Sequence, residues 1–579
     1  MMISFFRGGS GPASPGSRQS SVKRRKNMDI QSQYEAWLAC PAMPEELLAD
    51  LRSMDESAKN DSFYRDLAFG TGGLRGVLGA GTNRMNFFTV MRATRGLGAY
   101  LKEAYNAPSV ALSCDSRIHS RDFVELTAAV LGEMGIRVYL YPKLQPTPML
   151  SFAVRHLGCS AGVMVTASHN PAKFNGYKVY GDDGCQITLE AADRITGYIQ
   201  RQPVLADALP ALQPCLDSGI VSYITEETIE AYYERILSLR VHPCDVPLHV
   251  VYSPLNGAGN VPVREILRRM GNIRVDVVAE QEHPDGHFPT CPYPNPEIRE
   301  AMDLAIRKCV ETGADLCFAT DPDSDRMGAG VRVGDEVTLI SGNEMGVLML
   351  DYLSSHRTSA SALPPVAVKT IVSTNMADAL CQKRGIELRN VLTGFKFICE
   401  QIHFLDEQNQ TDRFLFGFEE SYGYLSGTFV RDKDAVNASL LLCEMAANLK
   451  AEGKTLLDRL AELRREFGFF AQETLTFQYE GQDGALRMQA IMKDLRRPLA
   501  DFPDPLIRSA RRVDYLNDDT GLPKSDVVEF NLENGWKFII RPSGTEPKLK
   551  AYLFTRGADQ PAAREALAAL KPLVSSVCQ

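Results

Sequence analysis

The run Ser109-Val110-Ala111-Leu112-Ser113-Cys114, then the segment Ser120 to Gly135, then Ile136-Arg137-Val138-Tyr139-Leu140-Tyr141, decides the fold class. The two outer runs are short and apolar, as strands buried on both faces are. Between them Phe123, Leu126, Val130, Leu131 and Met134 recur at helical spacing and share one face. Strand, helix and strand in close succession make a βαβ unit, which requires a parallel pair in a sheet flanked by helices.

The alternation recurs downstream. His249 to Tyr252 reads as strand, Val261 to Met270 as helix, Ile273 to Ala279 as strand, Pro296 to Thr312 as helix and Asp315 to Ala319 as strand. Pro365 to Ile371, Thr374 to Arg384, Ile386 to Thr393 and Phe395 to Leu405 repeat strand, helix, strand, helix. The last block differs, with strand-like Glu473 to Tyr479, a helix over Ala485 to Arg496, and strands at Val527 to Asn531 and Trp536 to Ile540. The class is therefore α/β, closing in an α+β block. Linker-like composition at Gln202 to Ser218, Val333 to Ser341 and Phe467 to Gln472 divides the chain into domains 28–210, 211–335, 336–465 and 466–579.

Length and composition agree. At about 100 to 200 residues per domain, 579 residues exceed a single unit. With 44% hydrophobic and 23% charged residues, the chain has enough apolar surface for real cores. Lys and Arg total 63 against 72 Asp and Glu, a net charge of −9, so no global positive field favours nucleic acid or an anionic membrane. Any phosphate recognition must be local. No apolar run approaches the roughly 18 residues of a membrane span. The 13 cysteines form no CxxC or Cys/His cluster and read as reduced thiols of a cytoplasmic protein. Residues 1–27 carry six cations and no acid, and are expected to be a disordered basic extension, or to precede a true start at Met28.

Four loops carry candidate chemistry, each at a strand end, where α/β proteins place ligands. Thr166-Ala167-Ser168-His169-Asn170-Pro171 offers a serine beside a histidine with small neighbours, suited to phosphoryl transfer. Thr320-Asp321-Pro322-Asp323-Ser324-Asp325-Arg326 brings three carboxylates together, which a hard cation reconciles. A calcium EF-hand is excluded by Arg326 where glycine is needed and Arg332 where glutamate is needed. Few carboxylates with room for phosphate oxygens suit Mg²⁺, while an Asp321 nucleophile forming an acyl phosphate is the rival reading. Gly417-Phe418-Glu419-Glu420-Ser421-Tyr422-Gly423 suits sugar hydroxyls, and the nearby Arg431-Asp432-Lys433-Asp434 could add a cation. Arg541-Pro542-Ser543-Gly544-Thr545-Glu546-Pro547-Lys548 reads as a phosphate cradle. The earlier Phe69-Gly70-Thr71-Gly72-Gly73-Leu74-Arg75-Gly76 lacks a Walker A ending but presents Arg75 to an anion. Singly, each could be an incidental polar turn. Together they specify phosphoryl transfer on a phosphorylated sugar.

At these residues the chain resembles the α-D-phosphohexomutase superfamily of phosphoglucomutases and phosphomannomutases, from about Met28 to the C-terminus, with all motifs in family order. Gly70 to Arg75, Asn175-Gly176-Tyr177-Lys178-Val179-Tyr180 and the Asp-Pro-Asp spelling resemble the branch of bacterial phosphoglucomutases and phosphopentomutase-like enzymes. The resemblance implies four domains around a central cleft, three with mixed or mostly parallel sheets flanked by helices. It implies that Ser168 is a phosphoserine and that Ser168, Asp321, Asp323 and Asp325 hold Mg²⁺. His169, Lys178, Arg75 and Arg326 would serve the transferred group. Thr393, Gly394, Glu419, Ser421 and Lys433 would contact the sugar, and Arg541, Ser543, Gly544 and Thr545 would hold the non-reacting phosphate. Pro322 and Ser324 depart from the commoner glycine-rich metal loop at positions that supply no ligand.

The implied reaction moves a phosphoryl group between positions 1 and 6 of glucose through a sugar 1,6-bisphosphate, which is intermediate and activator. A mannose or pentose phosphate as substrate, a silent sugar-phosphate-binding protein, and a phosphatase using Asp321 are the competing readings. The expected partner is a small-molecule sugar phosphate, with no nucleic acid and no membrane.

Overall fold

A computed structural model describes residues 30–357, 361–479, 481–543 and 548–578; the basic extension expected over 1–27 lies outside them. Four sheets form in succession. The first contains β1 (Gly73–Val77), β2 (Ser109–Cys114), β3 (Arg137–Leu140), β4 (Ala161–Val165), β5 (Phe174–Gly181) and β6 (Val221–Tyr223), ordered β1-β5-β4-β2-β3-β6. β4, β2, β3 and β6 run parallel, while β5 and β1 are antiparallel to their neighbours. The βαβ unit of the deciding stretch is thus the β2–β3 pair, with the helix Ser120–Glu133 between them.

The second sheet is β7 (Leu248–Ser253), β8 (Ile273–Val277), β9 (Leu316–Thr320), β10 (Met327–Val333) and β11 (Glu336–Ile340), ordered β11-β10-β9-β7-β8. The third is β12 (Val366–Thr370), β13 (Glu387–Val391), β14 (Phe414–Glu419) and β15 (Gly423–Leu425), ordered β13-β12-β14-β15. Both mix parallel strands with an antiparallel edge. The fourth is antiparallel throughout: β16 (Phe469–Gln478), β17 (Arg511–Asp514), β18 (Val528–Asn531), β19 (Lys537–Pro542) and β20 (Lys548–Gly557), ordered β16-β20-β19-β18-β17. The α/β class with an α+β close is the observed one.

Three expected linkers carry structure. Val333 to Ser341 is a hairpin: Val333 pairs with Glu336, and Gly334 takes the φ of 62° that the tight turn between β10 and β11 requires. Phe467 to Gln472 begins β16. The Gln202 to Ser218 stretch ends in the short helix Leu212–Asp217 and is followed by β6, which pairs with β3, so the first sheet extends past residue 210.

One buried apolar cluster runs through the first three units. It joins Met149, Phe152 and Met164 to Tyr252, Ile266 and Phe318, and these to Leu348, Phe416 and Leu441. A smaller cluster docks the fourth unit on the third, packing Ile371, Val372 and Leu392 against Tyr515, Ile539, Tyr552 and Phe554. The loops at the ends of β4, β9 and β14 meet where these units join. Among the described residues no helix is long and apolar enough to cross a membrane.

Candidate active site

The Ser168 loop leaves β4, whose five residues are all buried. Ser168 itself is buried and held at φ 52°, a left-handed conformation that a non-glycine residue adopts at a cost of order 1–3 kcal/mol. Its N–H donates to Thr166 Oγ1 at 2.8 Å, and Thr166 Oγ1 donates to Asp115 Oδ2 at 2.5 Å. Arg117, fully buried beside Asp115 at 3.3 Å, donates to the carbonyls of Ser168 (2.5 Å), Pro171 (3.0 Å) and Phe174 (3.1 Å), and also to that of Asn170. Four carbonyls bound to one guanidinium define the loop.

Across the domain boundary, Ser168 Oγ donates to Asp321 Oδ2 at 2.8 Å, and His169 Nδ1 lies 3.1 Å from the same hydroxyl. Asp321, Asp323 and Asp325 are all buried, and one carboxylate oxygen from each lies within 4.8 Å of the others. Burial, then Asp323 and Asp325, pushes Asp321 well above the ordinary carboxylate range. Asp323 is buried too, but Lys178 overcomes this and holds it below that range. Lys178 Nζ donates to Asp323 Oδ2 at 2.8 Å and lies 3.6 Å from Asp325 Oδ2. Thr147 also serves Asp323, donating from Oγ1 to Oδ2 and from its backbone N–H to the carbonyl, each at 2.9 Å. The remaining oxygens, Asp323 Oδ1 and Asp325 Oδ1, are buried without a hydrogen-bond partner. Orphaned, all-oxygen, converging donors fit a hard metal cation, so the triad can bind one.

Lys433 Nζ lies 3.0 Å from Asp325 Oδ2 and 3.1 Å from Asp432 Oδ1, while Tyr180 donates to Asp432 Oδ2 at 2.8 Å. Arg326 Nη1 donates to Glu297 Oε1 at 2.6 Å and to the Ser421 carbonyl at 2.9 Å, tying the Asp321–Asp325 loop to the loop after β14. Glu419 is buried at the end of β14. Glu420 is pushed up to about 7 by burial and then by Glu419. Ser324 (φ 50°) and Tyr422 (φ 66°) repeat the left-handed geometry of Ser168, so each of the three loops contains one such residue. His169 is driven well below its ordinary range by burial, then by Arg326 and Arg75, which favours the neutral imidazole.

Thr393 Oγ1 is buried without a partner, and Gly394 takes φ 123° before the helix Phe395–Glu407. Lys396 of that helix donates to the Thr71 carbonyl at 3.3 Å, joining the third unit to the Gly70–Arg75 segment. Arg75 stands on β1 opposite Gly176 of β5, two residues from Lys178. In the fourth unit, the charge of Arg541 at the end of β19 reaches Tyr552, whose environment includes Glu419 and Glu420. Ser543 N donates to the Lys548 carbonyl at 2.7 Å, whereas Gly544 and Thr545 lie outside the described residues. Sequence reasoning missed Asp115, Arg117, Thr147, Tyr180 and Asp432. Asp115-Ser116-Arg117 follows the end of β2 directly, the signal that marked the other loops.

Sequence models of the phosphoglucomutase/phosphomannomutase family match the chain as alpha/beta/alpha domain I over residues 66–204, domain II over 230–334, domain III over 341–467 and the C-terminal domain over 482–569. A phosphoglucomutase of Staphylococcus haemolyticus (strain JCSC1435) is 36% identical over 516 residues, 86% of this chain and 92% of that protein. One from Staphylococcus aureus (strain USA300) is 34% identical over 508 residues, 86% and 90% of the two chains. The crystal structure of a putative phosphomannomutase from Thermus thermophilus superposes with a TM-score of 0.65 at 25% identity, covering 88% of this chain and 99% of the other. The open form of pp63/parafusin from Paramecium does so at 0.68 and 17% identity, over 89% and 95%, a likeness of fold. The chain belongs to the phosphoglucomutase/phosphomannomutase family. It is an enzyme, a phosphosugar mutase.

Proposed function

We propose that the enzyme interconverts glucose 1-phosphate and glucose 6-phosphate, with Ser168 as the phosphoryl carrier. One observation carries this reading: Ser168 Oγ sits 2.8 Å from Asp321 within the buried carboxylate triad, so a phosphoryl group on that oxygen would stand among the donors of a cation site. Mg²⁺ is the cation proposed, held by Asp321, Asp323, Asp325 and a phosphate oxygen; when bound it withdraws charge from the phosphoryl group. The choice of glucose is supported by the curated relatives named phosphoglucomutase at 34–36% identity.

In the forward step the bond from Ser168 Oγ to phosphorus breaks and one from the free sugar hydroxyl forms, giving a 1,6-bisphosphate. The hydroxyl proton needs an acceptor, and neutral His169, its Nδ1 beside Ser168 Oγ, is suited to that role. Lys178 and Lys433 keep two cations at the carboxylates beside the reacting oxygen. Glu419 and Ser421 are proposed to grip sugar hydroxyls in either orientation of the bisphosphate, and Thr393 and Gly394 to border the sugar. Arg541, Ser543, Gly544 and Thr545 are proposed to hold the phosphate that is not reacting. Transfer of the second phosphate to Ser168 then releases the positional isomer.

The test is intact mass of wild type and Ser168→Ala with glucose 1,6-bisphosphate and Mg²⁺. Wild type alone should gain one phosphate, about 80 Da, the mass of a phosphorylation. Equal uptake by both proteins, or by neither, would overturn the Ser168 assignment. Comparing kcat/KM for glucose 1-phosphate, mannose 1-phosphate and ribose 1-phosphate tests the sugar.

A further inference from the structure

Away from the metal loop, a cavity of about 420 Å³ opens where the helices Thr147–His156 and Glu226–Leu237 meet the segment Thr428 to Arg431 and Asp406, near the end of the helix Phe395–Glu407. Arg155, Arg235 and Arg431 line it against the carboxylates of Glu234 and Asp406. Arg431 is buried; its Nε donates to the Thr428 carbonyl at 2.9 Å and its Nη2 to Asp406 Oδ2 at 3.0 Å, while Nη1 has no partner. Arg155 Nη2 lies 3.9 Å from the same Asp406 oxygen, so one carboxylate serves two guanidinium groups. Burial, and then the Arg431 charge, weakens the hold of Arg155 on its proton. Arg235 lies over the Phe429 ring at 5.2 Å. Guanidinium in excess of carboxylate along a concave wall is the chemistry of an anion site, and the planar fork of arginine suits phosphate.

We propose that this cavity binds a phosphate-bearing small molecule, separately from the sugar phosphate in the cleft, and that its occupancy is coupled to turnover. Three of the elements that wall it have their other ends in the active site. The ten-residue helix that ends at Arg155 and His156 begins at Thr147, which holds Asp323. At 1.5 Å per residue the two ends of this helix stand roughly 15 Å apart. The helix that carries Asp406 starts immediately after Thr393 and Gly394. Arg431 is followed by Asp432 and by Lys433, which lies against Asp325. An anion bridging Arg155 and Arg431 would relieve their mutual repulsion and fix these three ends together. The coupling is then the difference in anion affinity between arrangements of these elements.

The binding arm titrates inorganic pyrophosphate into the full chain in metal-free buffer and follows the heat. Wild type should show two sites. Arg155→Gln/Arg235→Gln should weaken one of them at least tenfold, and Arg541→Gln should weaken the other. A single site that Arg541→Gln removes and the double variant leaves intact would overturn the proposal. Arg235→Gln alone, at an exposed position, repeats the comparison without risk to folding. The turnover arm adds sulfate at saturating sugar phosphate. Competition in the cleft raises KM in every protein, whereas occupancy of this cavity should change kcat at least twofold in wild type and leave it constant in the double variant. Identical kcat responses in the two proteins would sink the coupling.

Discussion

Arg117 Nη2 donates to the carbonyl oxygen of Ser168 at 2.5 Å, so the residue proposed to carry the phosphoryl group is gripped through its own backbone. The same guanidinium reaches the carbonyls of Asn170, Pro171 and Phe174, and the fully buried Asp115 balances its charge. Lysine keeps the charge but concentrates its donors at one point and cannot span four carbonyls. Arg117→Lys should therefore lower kcat about 100-fold, the usual consequence of a reacting group misplaced by about 1 Å, while KM moves less than threefold. Steady-state kinetics checks this, and an unchanged kcat would remove Arg117 from the positioning of Ser168. Arg117→Ala should instead cost about 3–5 kcal/mol of stability by leaving Asp115 buried and unpaired.

Thr147 occupies one oxygen of Asp323 and leaves the other free for the cation. Thr147→Val preserves shape and the backbone N–H bond to the Asp323 carbonyl but removes the hydroxyl donor. Loss of a partner that orients a ligand typically weakens metal binding 10–100-fold. Titration with Mn²⁺ as a spectroscopic stand-in should show that loss with an unchanged circular dichroism spectrum.

Three buried carboxylates within 4.8 Å predict a metal-dependent melting temperature. At 100 times Kd, a bound cation adds about 2.7 kcal/mol to the folded state. Mg²⁺ should raise the Tm of wild type and leave that of Asp321→Asn unmoved, measured by calorimetry with and without EDTA. Equal shifts in both proteins would place the cation elsewhere.

The legible parts of this chain were those whose signal is local. β2 and β4 are buried on both faces, so they read as unbroken apolar runs, and the loops that follow β4, β9 and β14 announced themselves by abrupt polarity. The turn and second strand of the β10–β11 hairpin read as linker because Gly334, Asp335 and Glu336 dilute the apolar pattern of Val333 to Ser341, although Val337 buries its side chain. Thr147, Tyr180 and Asp432 were illegible for another reason. Thr147 and Asp323 are 176 residues apart, Tyr180 and Asp432 are 252 apart, and only packing of separate units makes them partners.

Tyr552 carries the fourth unit's link to the loop after β14. It is buried, its hydroxyl feels Arg541, and its surroundings include Glu420 and Glu419. Tyr552→Phe keeps the apolar contact with Ile371 and Ile539 and removes the hydroxyl alone. A polar contact on the scale of a hydrogen bond, about 0.5–1.5 kcal/mol, corresponds to roughly a 2–10-fold loss. That loss should appear in KM for the sugar phosphate, because Arg541 is proposed to hold the phosphate that is not being transferred. A fall confined to kcat would point to Tyr552 acting on the chemical step instead.

The N-terminal helices are fastened to the first sheet by a pH-dependent contact. His119 Nδ1 lies 2.8 Å from Asp122 Oδ2 and Nε2 lies 2.9 Å from Glu46 Oε1 of the helix Glu45–Ser53. The Asp122 hydrogen bond, opposed by burial and joined by Glu46, pushes His119 up to about 9. A histidine whose proton is held more tightly in the folded state stabilises that state wherever the unfolded chain is already protonated, below about pH 6.5. The stabilisation fades as pH rises from there and is gone once the pH passes about 9. Both carboxylates are more than half exposed, so solvent screening limits the contribution to about 1 kcal/mol. Urea unfolding of wild type and His119→Gln should differ by that amount at pH 6 and converge by pH 10. A gap that persists at pH 10 would mean that His119 acts through its ring packing on Phe87 and Phe123, not through its charge.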